Sequence, residues 1–182
     1  MPVSFHFVPA SKGENGSATS NSDYVANFAS VGTLDDTPYL CIPAALEWRK
    51  RLTWGEKAGE VAIRAYNRNL ARRGGRTVAD ILGTEVLENE DGTLGDCNMT
   101  NIRLPLSDDT LGRLELRSWI MKTMNLEYNI AVYPYMHGAA WWVRLSAQVY
   151  MILDDFEVCG RALNKVCARI IRGEGRQIAV TL

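Results

Sequence analysis

The sequence predicts an α+β domain in which helices cover one face of a small, mostly antiparallel sheet. Three observations carry this. Apolar residues recur at helical spacing in three long segments. Short runs rich in β-branched and aromatic residues alternate with those segments. From Gly83 onward the order reads strand, strand, helix, strand, strand, helix, which places helices against one side of a sheet.

Phe5 to Val8 form a short apolar strand ended by Pro9, and Ser11 to Ser22 form a Gly/Ser/Asn-rich loop. A solitary strand leaves its backbone groups unpaired, so a partner is expected outside this stretch. From Thr37 the character changes. Thr37 can cap, Pro38 loses nothing by lacking an N–H, and Leu40, Ala44, Leu46 and Trp48 mark an apolar helix to about Leu52. Thr53 with Glu56 reads as a capping box opening a second helix, in which Val61, Ala65 and Leu70 face a core until Gly74-Gly75.

Val86-Leu87 and Met99 to Leu104 read as two paired strands reversed through Asn89-Glu90-Asp91-Gly92. Ser107 caps a helix through Met124 that carries Leu111, Leu114, Leu116, Trp119, Ile120 and Met121, with Asp108 and Asp109 at its dipole-positive end. Ile130 to Tyr133 and Trp141 to Tyr150 form a second hairpin around Pro134 and Gly138. Asp154 opens a last helix to about Arg172, with Phe156, Leu163, Val166 and Ile170 inward.

Composition narrows the function. With 47% hydrophobic and 23% charged residues the 182-residue chain can bury one ordinary core. A net charge of -1 gives no broad field to draw nucleic acid or an anionic membrane, and Arg64, Arg68, Arg72, Arg73 and Arg76 read as a solvated helix face beside Glu56 and Glu60. Cys41, Cys97, Cys159 and Cys167 have no CxxC spacing and no histidine cluster, so they read as reduced core residues and no metal site is expected. No signal peptide or membrane span is legible, which makes a cytoplasmic setting the expectation. Serine nucleophile elbows, phosphate-binding Walker loops, HExxH and dinucleotide glycine motifs are absent from the sequence.

Individual polar residues on apolar elements carry what chemistry is legible. Arg144 lies within Trp141-Trp142-Val143-Arg144-Leu145-Ser146, where an unpaired guanidinium is costly. Its planar fork suits a ligand carboxylate. On the residues alone, an internal Asp or Glu partner or a simple solvent-facing position is the better account of it. Gly32-Thr33 precedes a helix and can offer N–H and hydroxyl to a phosphate, although such a pair is usually just a turn. His137 stands at a hairpin tip, where it could carry protons or sit idle on the surface, and His6 reads as structural.

Read together, Val31 to Leu40, Ile42 to Leu46, Leu82-Gly83-Thr84, Asn101 to Pro105 and Trp142 to Tyr150 resemble class V aminotransferase-like enzymes. The resembling branch includes isopenicillin-N-epimerase-like proteins, cysteine desulfurases and hercynylcysteine sulfoxide lyases. The resemblance implies the C-terminal small domain of a fold-type-I pyridoxal 5'-phosphate enzyme. Residues 1–36 would be a large-domain remnant, 37–82 connecting helices and 83–182 the small domain. It also implies that Arg144 grips the α-carboxylate of an amino-acid-type small molecule, with Tyr133 to His137, and so His137, as the adjoining loop near the substrate. Gly32 and Thr33 would reach the cofactor phosphate of the neighbouring subunit in a homodimer. The family's Schiff-base lysine, pyridine-nitrogen aspartate and ring-stacking residue have no counterpart here and are expected upstream of Met1. Lys12 lies in a polar loop without the family's His-Lys context. No catalytic residue is therefore assigned. Activity would need association with a missing N-terminal half, and a non-catalytic remnant or dimerisation module is the competing reading.

Overall fold

A computed structural model describes residues 37–107 and 113–174. The strand Phe5 to Val8, the following loop, Lys12, Gly32 and Thr33 lie outside the described residues. The chain divides into two units, Met1–Trp48 and Arg49–Leu182.

The first unit contributes α1 (Thr37–Leu40) and most of α2 (Ile42–Lys50). Helix was expected here, and neither element contains a buried residue. Tyr39, Leu40, Ile42, Leu46 and Trp48 are all at least half exposed.

In the second unit, Thr53 and Glu56 do not start a helix. Thr53–Trp54 (β1) and Lys57–Ala58 (β2) pair antiparallel instead. Gly55, at φ 59°, supplies the positive φ that a two-residue reversal requires. The helix proper, α3, runs Gly59–Leu82. Its buried stripe is Ala62, Ile63, Asn67, Leu70, Ala71, Gly74, Gly75, Val78, Ala79 and Leu82, a 3-4 spacing that leaves Val61 outside. Thus Gly74-Gly75 do not end the helix. A Cβ on Gly74 would overlap the ring of Phe156, and one on Gly75 would overlap Thr100 Oγ1. The pair lets a second helix and a strand approach the α3 backbone. The helix ends at Gly83 (φ 65°), where the Thr84 N–H donates to Ala79 O at 2.9 Å in a Schellman closure.

The main sheet has three antiparallel strands in the order β3 (Met99–Arg103), β5 (Ala140–Ser146), β4 (Tyr133–His137). The expected partner at Val86-Leu87 reduces to a single bridge, Val86 to Ile102. Residues 88–98 are held differently, by side chains on their own loop and on α3. Arg72 donates to Gly92 O and to Asp96, Arg68 also pairs with Asp96, and Glu88 accepts from the Leu94 N–H. Two of the five α3 arginines, Arg68 and Arg72, therefore clamp a loop from the solvent side. The β4 strand begins at Tyr133, later than expected, and includes Pro134; an edge strand tolerates the missing N–H.

The fourth helix, α4 (Arg113–Tyr128), extends past the expected end at Met124. It buries Leu116, Ile120 and Met124, whereas Leu114 is exposed. The last helix, α5 (Leu153–Ile171), starts where the Ile152 N–H donates to the Asp155 carboxylate at 2.8 Å, and Phe156, Leu163, Val166 and Ile170 point inward as expected. Arg169 binds Glu127 through two hydrogen bonds of 2.6 and 3.1 Å and fastens α5 to α4. The three helices share one core with Ile102, Trp141, Val143 and Leu145 from the sheet and with Leu104 just after β3, so helices cover one face as predicted. Burying a side chain such as Phe156 contributes roughly 1.5–3 kcal/mol. No described helix is long and apolar enough to cross a membrane.

The cysteines divide. Cys159 and Cys167 are buried as expected, but Cys41 is exposed and Cys97 half-buried, on elements that do not enter the core; all four are free. Among the described residues no cluster suits a metal ion.

Two predictions follow from this packing. Gly74→Ala gains helix propensity yet should destabilise the fold by about 1–3 kcal/mol, because its methyl meets the Phe156 ring. Urea unfolding of Gly74→Ala, Phe156→Leu and the double variant checks this, and the double variant should lose less than the sum of the singles. Burial pushes the Cys159 and Cys167 thiols from the ordinary 9.0 up to about 12. The folded state then holds protons that the unfolded chain releases, so this contribution is intact below pH 9 and lost between about 9 and 12. A Tm series across that window should fall, and should fall less in the Cys159→Ala, Cys167→Ala double variant.

Candidate functional site

The central strand β5 alternates. Trp141, Val143 and Leu145 enter the core, while Arg144 and Ser146 are exposed on the opposite face. Antiparallel partners share a face, so register names the neighbours of Arg144: Asn101 on β3 and Tyr133 on β4 form one row with it. The next row is Arg103, Trp142 and Tyr135.

Trp142 is on this face yet only 6% exposed. Its indole N–H donates to His137 O at 3.2 Å, and the His137 ring meets it edge-on with centroids 6.5 Å apart. Tyr135 Oη donates to Asn101 Oδ1 at 2.8 Å, reaching across β5. Burial raises the Tyr135 phenol above its usual value, and the nearby Arg144 charge pulls it partly back; Tyr135 stays protonated and a donor at neutral pH. At the β4 edge, the Arg117 guanidinium from α4 lies 4.6 Å from the Tyr133 ring centroid, a cation–π contact.

Arg144 makes no ion pair among the described residues. The arginines Arg49, Arg68, Arg72, Arg103, Arg161 and Arg169 each have a carboxylate partner, and Arg144 has none. The internal-carboxylate explanation for Arg144 thus has no partner in the described residues, whereas the solvent-facing position that the sequence also allowed is the one it occupies. What surrounds the guanidinium is an aromatic and amide surface. The site is an open platform rather than an enclosed cavity; the apolar cleft of about 240 Å³ lies elsewhere, between Trp54, Ile63, Tyr66 and Val149.

His137 shares the face but sits four residues from Tyr133 along β4, roughly 13 Å away at strand rise. The structure brings it to Trp142 and not to Arg144. Gly32 and Thr33, the expected phosphate loop, are outside the described residues. Asn101 and Arg117 were missed as site residues by sequence reasoning, and Tyr133 and Tyr135 were reached only within the Tyr133 to His137 segment that the resemblance places near the substrate. Strand register was the missing knowledge for Asn101, Tyr133 and Tyr135, since the Tyr-Pro-Tyr alternation at 133–135 was in plain view. Nothing in the sequence joins Arg117 to Tyr133.

Among the described lysines, Lys50, Lys57, Lys122 and Lys165 occupy exposed helix or hairpin positions, and none belongs to the rows carrying Arg144. The described residues can hold an anion but do not fit as an anchor for an aldehyde cofactor.

No family model matches the chain. It is similar to two curated fungal proteins from Epichloe uncinata. The L-cysteine desulfhydrase-like protein lolT2 is 34% identical over 214 aligned positions covering 98% of this chain. The L-cysteine desulfhydrase-like protein lolT1 is 32% identical over 205 positions covering 96%. The chain spans 44% of the length of each relative.

Proposed function

We propose that this chain is the substrate-gripping part of a pyridoxal-phosphate enzyme of the class V aminotransferase-like kind, one that acts on an amino acid. The observation that carries this reading is Arg144. Its guanidinium stands on an exposed sheet face with no internal carboxylate among the described residues, in a chain similar along nearly all its length to proteins named L-cysteine desulfhydrase-like. Pyridoxal phosphate, when bound, supplies the electron sink for a carbanion at the amino acid's α-carbon. The work of this chain is different: the Arg144 fork takes the α-carboxylate bidentately and fixes the orientation of the amino acid. Lyase or desulfurase chemistry fits the relatives' names best, with epimerisation as the alternative outcome of the same binding mode.

In this reading Gly32 and Thr33 meet the cofactor phosphate, His137 borders the substrate loop through its contact with Trp142, and a lysine absent from this sequence anchors the cofactor. Residues 1–36, 37–82 and 83–182 play the parts of large-domain remnant, connector and small domain in a cytoplasmic protein. A second reading, a non-catalytic association module, draws on the exposed Tyr39, Leu40, Ile42, Leu46 and Trp48; that much apolar surface favours a homodimer or a complementary polypeptide.

Two tests follow. L-alanine should move the Trp142 indole resonance with an affinity on the order of millimolar, and L-alaninamide, which lacks the carboxylate, should not. Arg144→Lys should weaken binding about tenfold and Arg144→Ala should abolish it; unchanged binding in Arg144→Ala contradicts the assignment. Incubation with pyridoxal phosphate followed by borohydride should give no stoichiometric labelling of a single lysine, whereas one fully labelled site would refute the absent anchor. Light scattering on the same sample should report a dimer or larger, and a clean monomer counts against the association surface.

A further inference from the structure

The row that holds Arg144 contains a second donor whose orientation is fixed from outside the row. Asn101 is the direct β3 neighbour of Arg144, and antiparallel partners hold their Cβ atoms roughly 4.5–5.5 Å apart. Tyr135 starts from the far strand and the adjacent row, yet its hydroxyl crosses β5 to donate to Asn101 Oδ1 at 2.8 Å. That bond engages the amide's acceptor end. The Asn101 NH₂ group, with two donors and no acceptor, then has no partner among the described residues. Arg144 lies close enough to act electrostatically on the same Tyr135 hydroxyl. Hydroxyl, amide and guanidinium therefore converge at one place on the open face.

We propose that Asn101 is a second carboxylate-binding residue beside Arg144, and that Tyr135 is the positioning residue which holds the Asn101 amide with its donors outward. The inference rests on the reading of Arg144 given above. Were the amide turned, its carbonyl would face an incoming carboxylate and repel it; in the structure the Tyr135 hydroxyl donates to Asn101 Oδ1, which leaves the NH₂ group to the carboxylate. Two adjacent groups able only to donate select a ligand whose contacting atoms only accept, which is a carboxylate and not an amide or alcohol.

The test is a titration of the full-length ¹⁵N-labelled chain with L-alanine, with L-alaninamide as control, following the Asn101 side-chain NH₂ resonances. Those resonances should shift with L-alanine and stay put with the amide. Asn101→Ala should weaken alanine binding about tenfold, the effect of one hydrogen bond to a charged group. Asn101→Asp should abolish binding by repulsion. Tyr135→Phe keeps the ring and should weaken binding about threefold while moving the Asn101 NH₂ resonances of the free chain, a change that a tyrosine without a hold on the amide would not produce. Backbone spectra that superimpose on wild type establish that each variant is folded. If Arg144→Ala abolishes binding but Asn101→Ala changes it less than twofold, the role of Asn101 is overturned while that of Arg144 stands. If Arg144→Ala binds as wild type, or if wild type shows no shift up to the solubility of alanine, the underlying reading fails and this one with it.

Discussion

The structure turns on the hydrogen bonding of β5 along both its edges. A central strand cannot slip by one residue without moving Trp141, Val143 and Leu145 out of the core and driving Arg144 into it. Burying that guanidinium without a carboxylate would cost several kcal/mol, so pairing with β3 and β4 and the placement of Arg144 are the same constraint. Asn101 and Tyr133 follow from it, because register alone makes them cross-strand neighbours.

A second constraint sets how tightly the helices sit on that sheet. Gly74 and Gly75 on α3 admit the Phe156 ring and the Thr100 side chain into space that any Cβ would occupy, and Gly160 on α5 packs close to Val78 and Ile81 of α3. Close packing on the inner face supports precise positioning on the outer one. A platform built on strands holds its polar groups more exactly than a loop would, because strand side chains inherit their spacing from the backbone ladder. Trp142 extends that order across the face, with its indole N–H tied to His137 O and the His137 ring against its edge.

Much of this was legible in the sequence. The α5 face of Phe156, Leu163, Val166 and Ile170 appeared at helical spacing, and the β5 segment announced itself by its aromatic and branched residues. Local reading failed where a tertiary contact overrode a local signal. Gly74-Gly75 look like a helix stop, and only Phe156 and Thr100 explain why the helix continues. Thr53 and Glu56 look like a capping box, yet the positive φ of Gly55 makes a hairpin. The cysteines show the same limit, since composition cannot tell an exposed Cys41 from a buried Cys167. For the candidate site, Arg144 was visible as a charge in an apolar strand, but its neighbour Asn101 comes from a strand more than thirty residues away, and Tyr133 beside it depends on the register of the β4–β5 hairpin.

The relatives give this platform its chemical context. They are similar to nearly the whole chain and more than twice its length; under the proposed reading, the Arg144 face would work beside catalytic groups carried by other residues. The most direct measurement is a crystal structure of the chain grown or soaked in concentrated L-alanine. The account predicts the alanine carboxylate within about 3 Å of the Arg144 guanidinium. An Arg144 side chain folded back onto an Asp or Glu of its own chain, with no alanine at the β5 face, would contradict it.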